Sequence, residues 1–314
     1  MPTTEAMQRS LGRGWALLAR VGVVGAVAVV GAVGAVAALV GCAGSGPGGA
    51  AGGAPAVVLE IAPVTTPTLR EVDTTPPTEG DAAQIRALHG MVRIKGGSFT
   101  MGFSGCDADE APEHEVKVGA FWMDVTEVTA EAYAQCVDAG TCTEGVATSG
   151  IPGQSPSEGA MQCNAGRAER ARHPMNCVTW RQAEAYCKAQ GKRLPSEEEW
   201  EFAARGVKGR MFPWGDTFDG EKLCWNRAEG TCPVGDFPEG VTPEGLLDMA
   251  GNVWEWTTSA YCSYDDPGCS DETFVDRGGA WASDDERLVH AAHRGRGNDE
   301  VWASYIGFRC VRTP

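Results

Sequence analysis

Between Met91 and Gly102 apolar and polar residues alternate, meet Gly96-Gly97, and alternate again. That pattern predicts a β-hairpin turning at the two glycines. Val116, Val118 and Phe121 carry a strand pattern on into Trp122-Met123-Asp124. Three helices have start and stop signals. Thr129 is placed to N-cap a helix running through Ala139, with Gly140 at its left-handed exit. Thr179 with Gln182 forms a capping box, and Gly191 closes that helix. Ser196 with Glu199 forms a second box, ended by Gly206. Trp200, Ala203 and Ala204 share one face of this last helix, and its early acids complement the macrodipole. Beyond Gly206 both periods fade, and short pieces such as Phe212-Pro213-Trp214 and Val253-Trp254-Glu255-Trp256 lie among turn residues. Such a region stays compact only when large aromatics and cross-links organise it, which makes the tryptophans core candidates. The fold class is α+β with much irregular structure, and no internal repeat is visible.

The segment ahead of this pattern is of another kind. Arg9, Arg13 and Arg20 precede an uncharged run of Val, Ala and Gly from Val21 to Val40, which exits through Leu39-Val40-Gly41-Cys42. A basic region, an apolar stretch and small residues at the cut describe an export signal. The ending resembles a bacterial lipobox, in which Cys42 is lipidated and becomes the new N-terminus. A transmembrane anchor is the alternative, since about 20 apolar residues span a bilayer. Ala43 in place of an aspartate after Cys42 points to the outer membrane in a Gram-negative cell. Residues 43–88 are rich in Gly, Ala, Pro and Thr and poor in large apolar residues. Such a stretch cannot offset its ordering entropy and reads as a flexible tether. The expected organisation is therefore 1–42 signal, 43–88 tether, and 89–314 one domain large enough for its own core.

Charge adds an exclusion. Removing Glu5, Arg9, Arg13 and Arg20 leaves 41 acids against 23 bases, a net charge of −18. That balance opposes nucleic-acid binding and favours solubility.

The chain has 12 cysteines. With Cys42 the lipid site, the others sit in an exported domain, where disulfides are the default state. Spacing suggests Cys136 with Cys142, Cys224 with Cys232 and Cys262 with Cys269, each across turn-forming residues, and Cys163 with Cys177 as a further candidate. Cys106 has no assigned partner. No Cys-x-x-Cys occurs, which speaks against zinc.

Five strings carry a resemblance: Gly191-Lys192-Arg193-Leu194-Pro195-Ser196-Glu197-Glu198-Glu199-Trp200, Phe212-Pro213-Trp214-Gly215-Asp216, Gly251-Asn252-Val253-Trp254-Glu255-Trp256, Arg277-Gly278-Gly279-Ala280-Trp281 and Ile306-Gly307-Phe308-Arg309-Cys310. In that order they resemble the formylglycine-generating enzyme, or sulfatase-modifying factor, family. The resemblance implies a C-type-lectin-like fold with little regular secondary structure and several disulfides. It also places a disulfide between Cys187 and Cys310.

The family's best-known reaction oxidises a sulfatase cysteine to formylglycine with oxygen and copper(I). Copper(I) is soft and takes thiolates. The two positions that hold its cysteines in that enzyme read Ser283 and Leu288 here, so copper is not expected. Tyr305 stands where the family has asparagine, and Ala280 where it has serine. A second long-range disulfide is missing at both ends, Ala204 and His293. His290 and His293 are three apart, and surface or packed histidines are the commoner reading of such a pair. The His-x3-His-x-Glu motif of iron-dependent sulfoxide synthases sharing this fold is absent.

The resemblance implies a calcium site from the side chains of Asp248 and Glu255 with the carbonyls of Met249, Gly251 and Val253. Hard oxygen donors of this kind are what calcium takes. It also implies a binding groove lined by Trp254, Trp281, Arg294 and Tyr305. The functional expectation is a lipid-anchored binding module for an extracytoplasmic peptide or glycan. A formylglycine-type oxidase or related oxidoreductase acting on protein cysteine, and a structural envelope lipoprotein, are the alternatives.

Overall fold

The computed structural model describes residues 90–145, 162–266 and 268–314. The expected signal, the expected lipidation residue Cys42 and the expected tether lie outside these residues. Among the described residues no helix is long and apolar enough to cross a membrane.

The N-terminal strands form one long antiparallel ribbon. Strands β1 (Met91–Ile94) and β2 (Gly97–Met101) run against β3 (His114–Val118) and β4 (Phe121–Asp124). Ile94 pairs with Phe121 and Gly97 with Val118, so one register crosses the whole ribbon. Gly96-Gly97 therefore do not turn a hairpin, as the local pattern predicted; the reversal lies between Met101 and His114. The glycines have another purpose. At Gly96, with φ +73°, a Cβ would sit 2.6 Å from the backbone of Gly119 and Val118. Only glycine permits that cross-strand approach.

The three helices follow their caps. Helix α1 (Ala130–Asp138) starts at Thr129, whose hydroxyl accepts from the Ala132 amide. Helices α2 (Trp180–Ala189) and α3 (Glu197–Arg205) both show complete capping boxes, Thr179 with Gln182 and Ser196 with Glu199. A four-stranded sheet is built later in the chain, in the order β7 (Arg294–Asn298), β6 (Thr273–Arg277), β5 (Trp254–Ala260), β8 (Ile306–Gly307). Strand β9 (Val311–Arg312) returns to pair with β4. Between Gly206 and Val253 the described chain has short 3-10 turns and no strand.

The two largest of the apolar clusters among the described residues hold the helices and the ribbon. One packs α1 and α2 around Trp256, Phe308, Tyr133 and Tyr186. The other packs α3, through Trp200, Ala203 and Ala204, against Ile94, Phe121 and Met123 of the ribbon. Trp200 and Trp256 are both fully buried, and truncating such a side chain costs roughly 3–5 kcal/mol.

Five disulfides join described residues: Cys136–Cys142, Cys163–Cys177, Cys187–Cys310, Cys224–Cys232 and Cys262–Cys269. No described cysteine is free. Cross-linking at this density belongs to a protein that folds in an oxidising, extracytoplasmic compartment.

The acids of α3 do more than favour its dipole. Glu197 and Glu201 are buried. Glu201 accepts from Arg205 at 2.6 Å and pairs with Arg277, while Glu197 accepts from Arg294 at 2.7 and 3.1 Å. The helix is thus fixed to β6 and β7 by charge as well as packing.

Candidate metal and binding sites

The segment from Asp248 to Glu255 links the irregular region to β5. Asp248, Gly251 and Asn252 all have positive φ, which winds the chain tightly there. Asp248 is buried, and its Oδ2 accepts from the Gly235 amide at 2.6 Å. Met249 and Val253 are fully buried. Glu255 is fully buried as well and accepts from Trp200 Nε1 at 2.8 Å and from Arg309 twice at 2.7 Å. Neither acid is an ordinary exposed carboxylate.

A third acid belongs to the same cluster. Glu127, between β4 and α1, is buried, and no amide, hydroxyl or cationic group donates to its carboxyl, whose close side-chain neighbour is the carboxyl of Asp248. Burial drives its carboxyl well above the usual range; the nearby Asp248 charge adds to this, and Arg309 opposes it. Asp248 is raised by burial too. Three carboxyls against the single Arg309 guanidinium leave two uncompensated negative charges when ionised. Buried acids crowded together in this way are expensive. A divalent ion with hard-oxygen preference would answer that need, with Asp248 and Glu127 the acids whose oxygens Arg309 and Trp200 do not already engage. The resemblance named Asp248 and Glu255 and did not name Glu127. Its one local signal is an acid inside the apolar frame Val125-Thr126-Glu127-Val128, just before the Thr129 cap.

At the two positions matched to the copper cysteines, Ser283 is buried and its Oγ accepts from the Ala280 amide at 3.0 Å. Leu288 lies in the 3-10 turn Glu286–Val289. With every described cysteine in a disulfide, no described thiolate is available to copper(I).

The four groove residues separate. Trp281 is buried against the Cys224–Cys232 region, and its Nε1 donates to the Ser304 carbonyl at 3.0 Å. Arg294 turns inward rather than lining a groove: besides Glu197 it donates to the Asp109 carbonyl at 2.9 Å and lies over the rings of Tyr261 and Tyr264. A guanidinium taken out of water needs partners for its donors, and the Glu197 carboxylate and the Asp109 carbonyl supply them. Trp254 stays half-buried, and Tyr305 is exposed at 44%. These two adjoin, because the Trp254 amide donates to the Tyr305 carbonyl at 2.8 Å. Of the four, these two are the ones that remain accessible.

The two histidines also part. His290 is buried between Phe103 and Phe212, and its pKa is pushed down to about 3 by burial and then by Arg205. It is a neutral core residue. His293 lies at a rim, with its ring centroid 5.7 Å from that of Trp254 and its Nδ1 facing Glu110 and Asp107.

Comparison with known proteins agrees with the geometry. The family profile described as Sulfatase-modifying factor enzyme 1-like domain matches residues 78–314. The Inactive C-alpha-formylglycine-generating enzyme 2 of Bos taurus is 34% identical over 271 residues, covering 70% of this chain and 87% of its own. The Formylglycine-generating enzyme of Mycobacterium tuberculosis is 31% identical over 294 residues, covering 71% and 98%. Among solved structures, PvdO from Pseudomonas aeruginosa aligns with a TM-score of 0.58 at 28% identity, covering 71% of this chain and 94% of its own. With its fold, its disulfides and its five strings in place, this chain belongs to the sulfatase-modifying factor family.

Proposed function

We propose that this protein is a lipid-anchored, extracytoplasmic binding module that uses the family scaffold without copper-dependent cysteine oxidation. The observation that carries this reading is Ser283, whose hydroxyl is engaged by the Ala280 amide at a position where the family's enzyme needs a thiolate. Relatives with names of both kinds, inactive and formylglycine-generating, leave the decision to such residues.

In this reading calcium is a structural ion, held by Glu127, Asp248 and Glu255 with carbonyls of Met249, Gly251 and Val253. When bound, it supplies two positive charges to a cluster of buried acids. The ligand is an extracytoplasmic peptide or glycan, met by Trp254 and Tyr305. Aromatic faces of this kind give large contact area at low entropic cost. Anchoring follows from lipid on Cys42, so Cys42→Ser is expected to release the protein from membranes.

The test is to probe peptide and glycan arrays with the full chain in calcium, alongside Trp254→Ala and Tyr305→Ala. One ligand class bound by the native chain and lost in both variants supports the proposal. Binding that neither substitution changes, or no binding to either class, contradicts it.

A further inference from the structure

Away from the calcium cluster, Asp107, Glu110 and His293 place one donor atom each within 4.8 Å of one another. The His293 Nδ1 is 3.0 Å from Glu110 Oε1 and 3.2 Å from Asp107 Oδ2. We propose that these three side chains form a binding site for a divalent first-row transition metal, zinc in particular.

Four observations support it. First, the donors come from two segments that are held before any ion arrives. Asp107 and Glu110 flank one 3-10 turn, Ala108–Glu110, closed by the Glu110 amide to the Asp107 carbonyl. That turn is tied to β7 by Arg294 donating to the Asp109 carbonyl, and to β5 and its exit by the Tyr261 hydroxyl on Asp109 Oδ2. The His293 backbone is fixed in turn by Arg277 donating to its carbonyl at 3.0 Å. Preorganisation of this kind is what a metal site requires.

Second, Glu110 is 1% exposed, and its Oε2 has no hydrogen-bond partner. A desolvated carboxylate oxygen left bare is costly, and a cation beside it removes the cost. Third, one imidazole faces two carboxylates. A single Nδ1 proton serves two acceptors poorly, whereas a metal ion on Nδ1 is shared by both.

Fourth, the donor chemistry selects the ion. An imidazole nitrogen disfavours calcium, and the lack of thiolate disfavours copper(I), whereas one nitrogen with two carboxylate oxygens suits zinc. Three protein ligands leave a position for water or an incoming group. The Asp107 side chain, at 44% exposure, supplies the open side. Because His293 adjoins Trp254, that position lies beside the accessible aromatic surface. The metal site stands whatever that surface binds.

The test uses the full chain, with disulfides intact and calcium present. Zinc(II) is titrated against a chromophoric competitor, and cobalt(II) replaces it for visible spectra. The expected result is one zinc per chain beyond any calcium, with a cobalt spectrum of low coordination number. His293→Gln and Glu110→Gln are expected to weaken zinc by more than the roughly 10–100-fold typical of losing an outer-shell partner. Asp107→Asn, at a half-exposed position that folding tolerates, is expected to weaken it as well. Glu272→Gln, at an exposed acid outside both clusters, is expected to leave zinc binding unchanged. No saturable zinc binding by the native chain, or equal affinity in the native chain and Asp107→Asn, overturns the proposal and returns the three residues to an ordinary ion-paired cluster.

Discussion

Arg309 holds Glu255 at two points, Nε to Oε2 and Nη2 to Oε1, each 2.7 Å, with both side chains sealed from water. The remaining guanidinium donors go to the carbonyls of Asp124, Val125, Leu247 and Asp248. One side chain thereby joins the C-terminal segment, the end of β4 and the acid-rich loop. Breaking a buried pair by removing one partner costs about 3–5 kcal/mol. Arg309→Met is expected to lose that much in urea unfolding with disulfides intact. A loss below about 1 kcal/mol, the range of exposed pairs, would show that the pair contributes little.

Glu127 and Asp248 give a second prediction. Calcium binding only the folded state stabilises by about 2.7 kcal/mol at roughly 100 times its Kd. For a domain of this size that raises Tm by roughly 5–11 °C. Calcium is expected to produce such a rise, a chelator to reverse it, and Glu127→Gln to abolish most of it. Equal melting of native protein with calcium and with chelator would refute the site.

Asp276 sets a pH dependence. Burial lifts its carboxyl from an ordinary 3.8 to about 7, against the opposing charge of Arg277. The folded state therefore keeps a proton that the unfolded chain releases. This contribution to stability is full below the unfolded value and is lost as pH rises through about 7. Native protein compared with Asp276→Asn is expected to lose relative stability from about pH 4 to about pH 7, and to level off above that, in urea midpoints. Parallel curves would mean that the carboxyl is not raised.

Cys187 and Cys310 are 123 residues apart in sequence and join α2 to the end of the last core segment. Closing a loop of that length contributes about 4–5 kcal/mol in the chain-entropy model. The paired change Cys187→Ala with Cys310→Ala is expected to bring the domain close to unfolding at about 37 °C. A small shift in Tm would show that packing of Phe308 and Tyr186 suffices without the link.

What the sequence made legible was mostly local. Thr179 with Gln182 and Ser196 with Glu199 cap helices because both partners lie within one turn, so no distant contact can overrule them. The short disulfides were readable for the same reason. Gly96-Gly97 misled because a glycine pair marks unusual backbone, and only the partner strand decides between a turn and a close crossing. The resemblance placed Arg294 in the groove lining, and its burial against Glu197, 97 residues away, was not legible in the local sequence. Glu127 escaped because an isolated acid becomes informative only when burial and a missing donor are seen. Resemblance could name positions across such distances, yet it could not say which of the four groove residues stayed accessible.

The central claim concerns chemistry at Ser283 and Leu288. The most direct measurement incubates the purified full chain with copper(I), oxygen and a sulfatase-derived cysteine peptide, and follows formylglycine by mass spectrometry. The predicted result is no turnover above the protein-free control, for native protein and Ser283→Ala alike. Turnover by the native chain that disappears in Ser283→Ala would contradict the account and restore an oxidase.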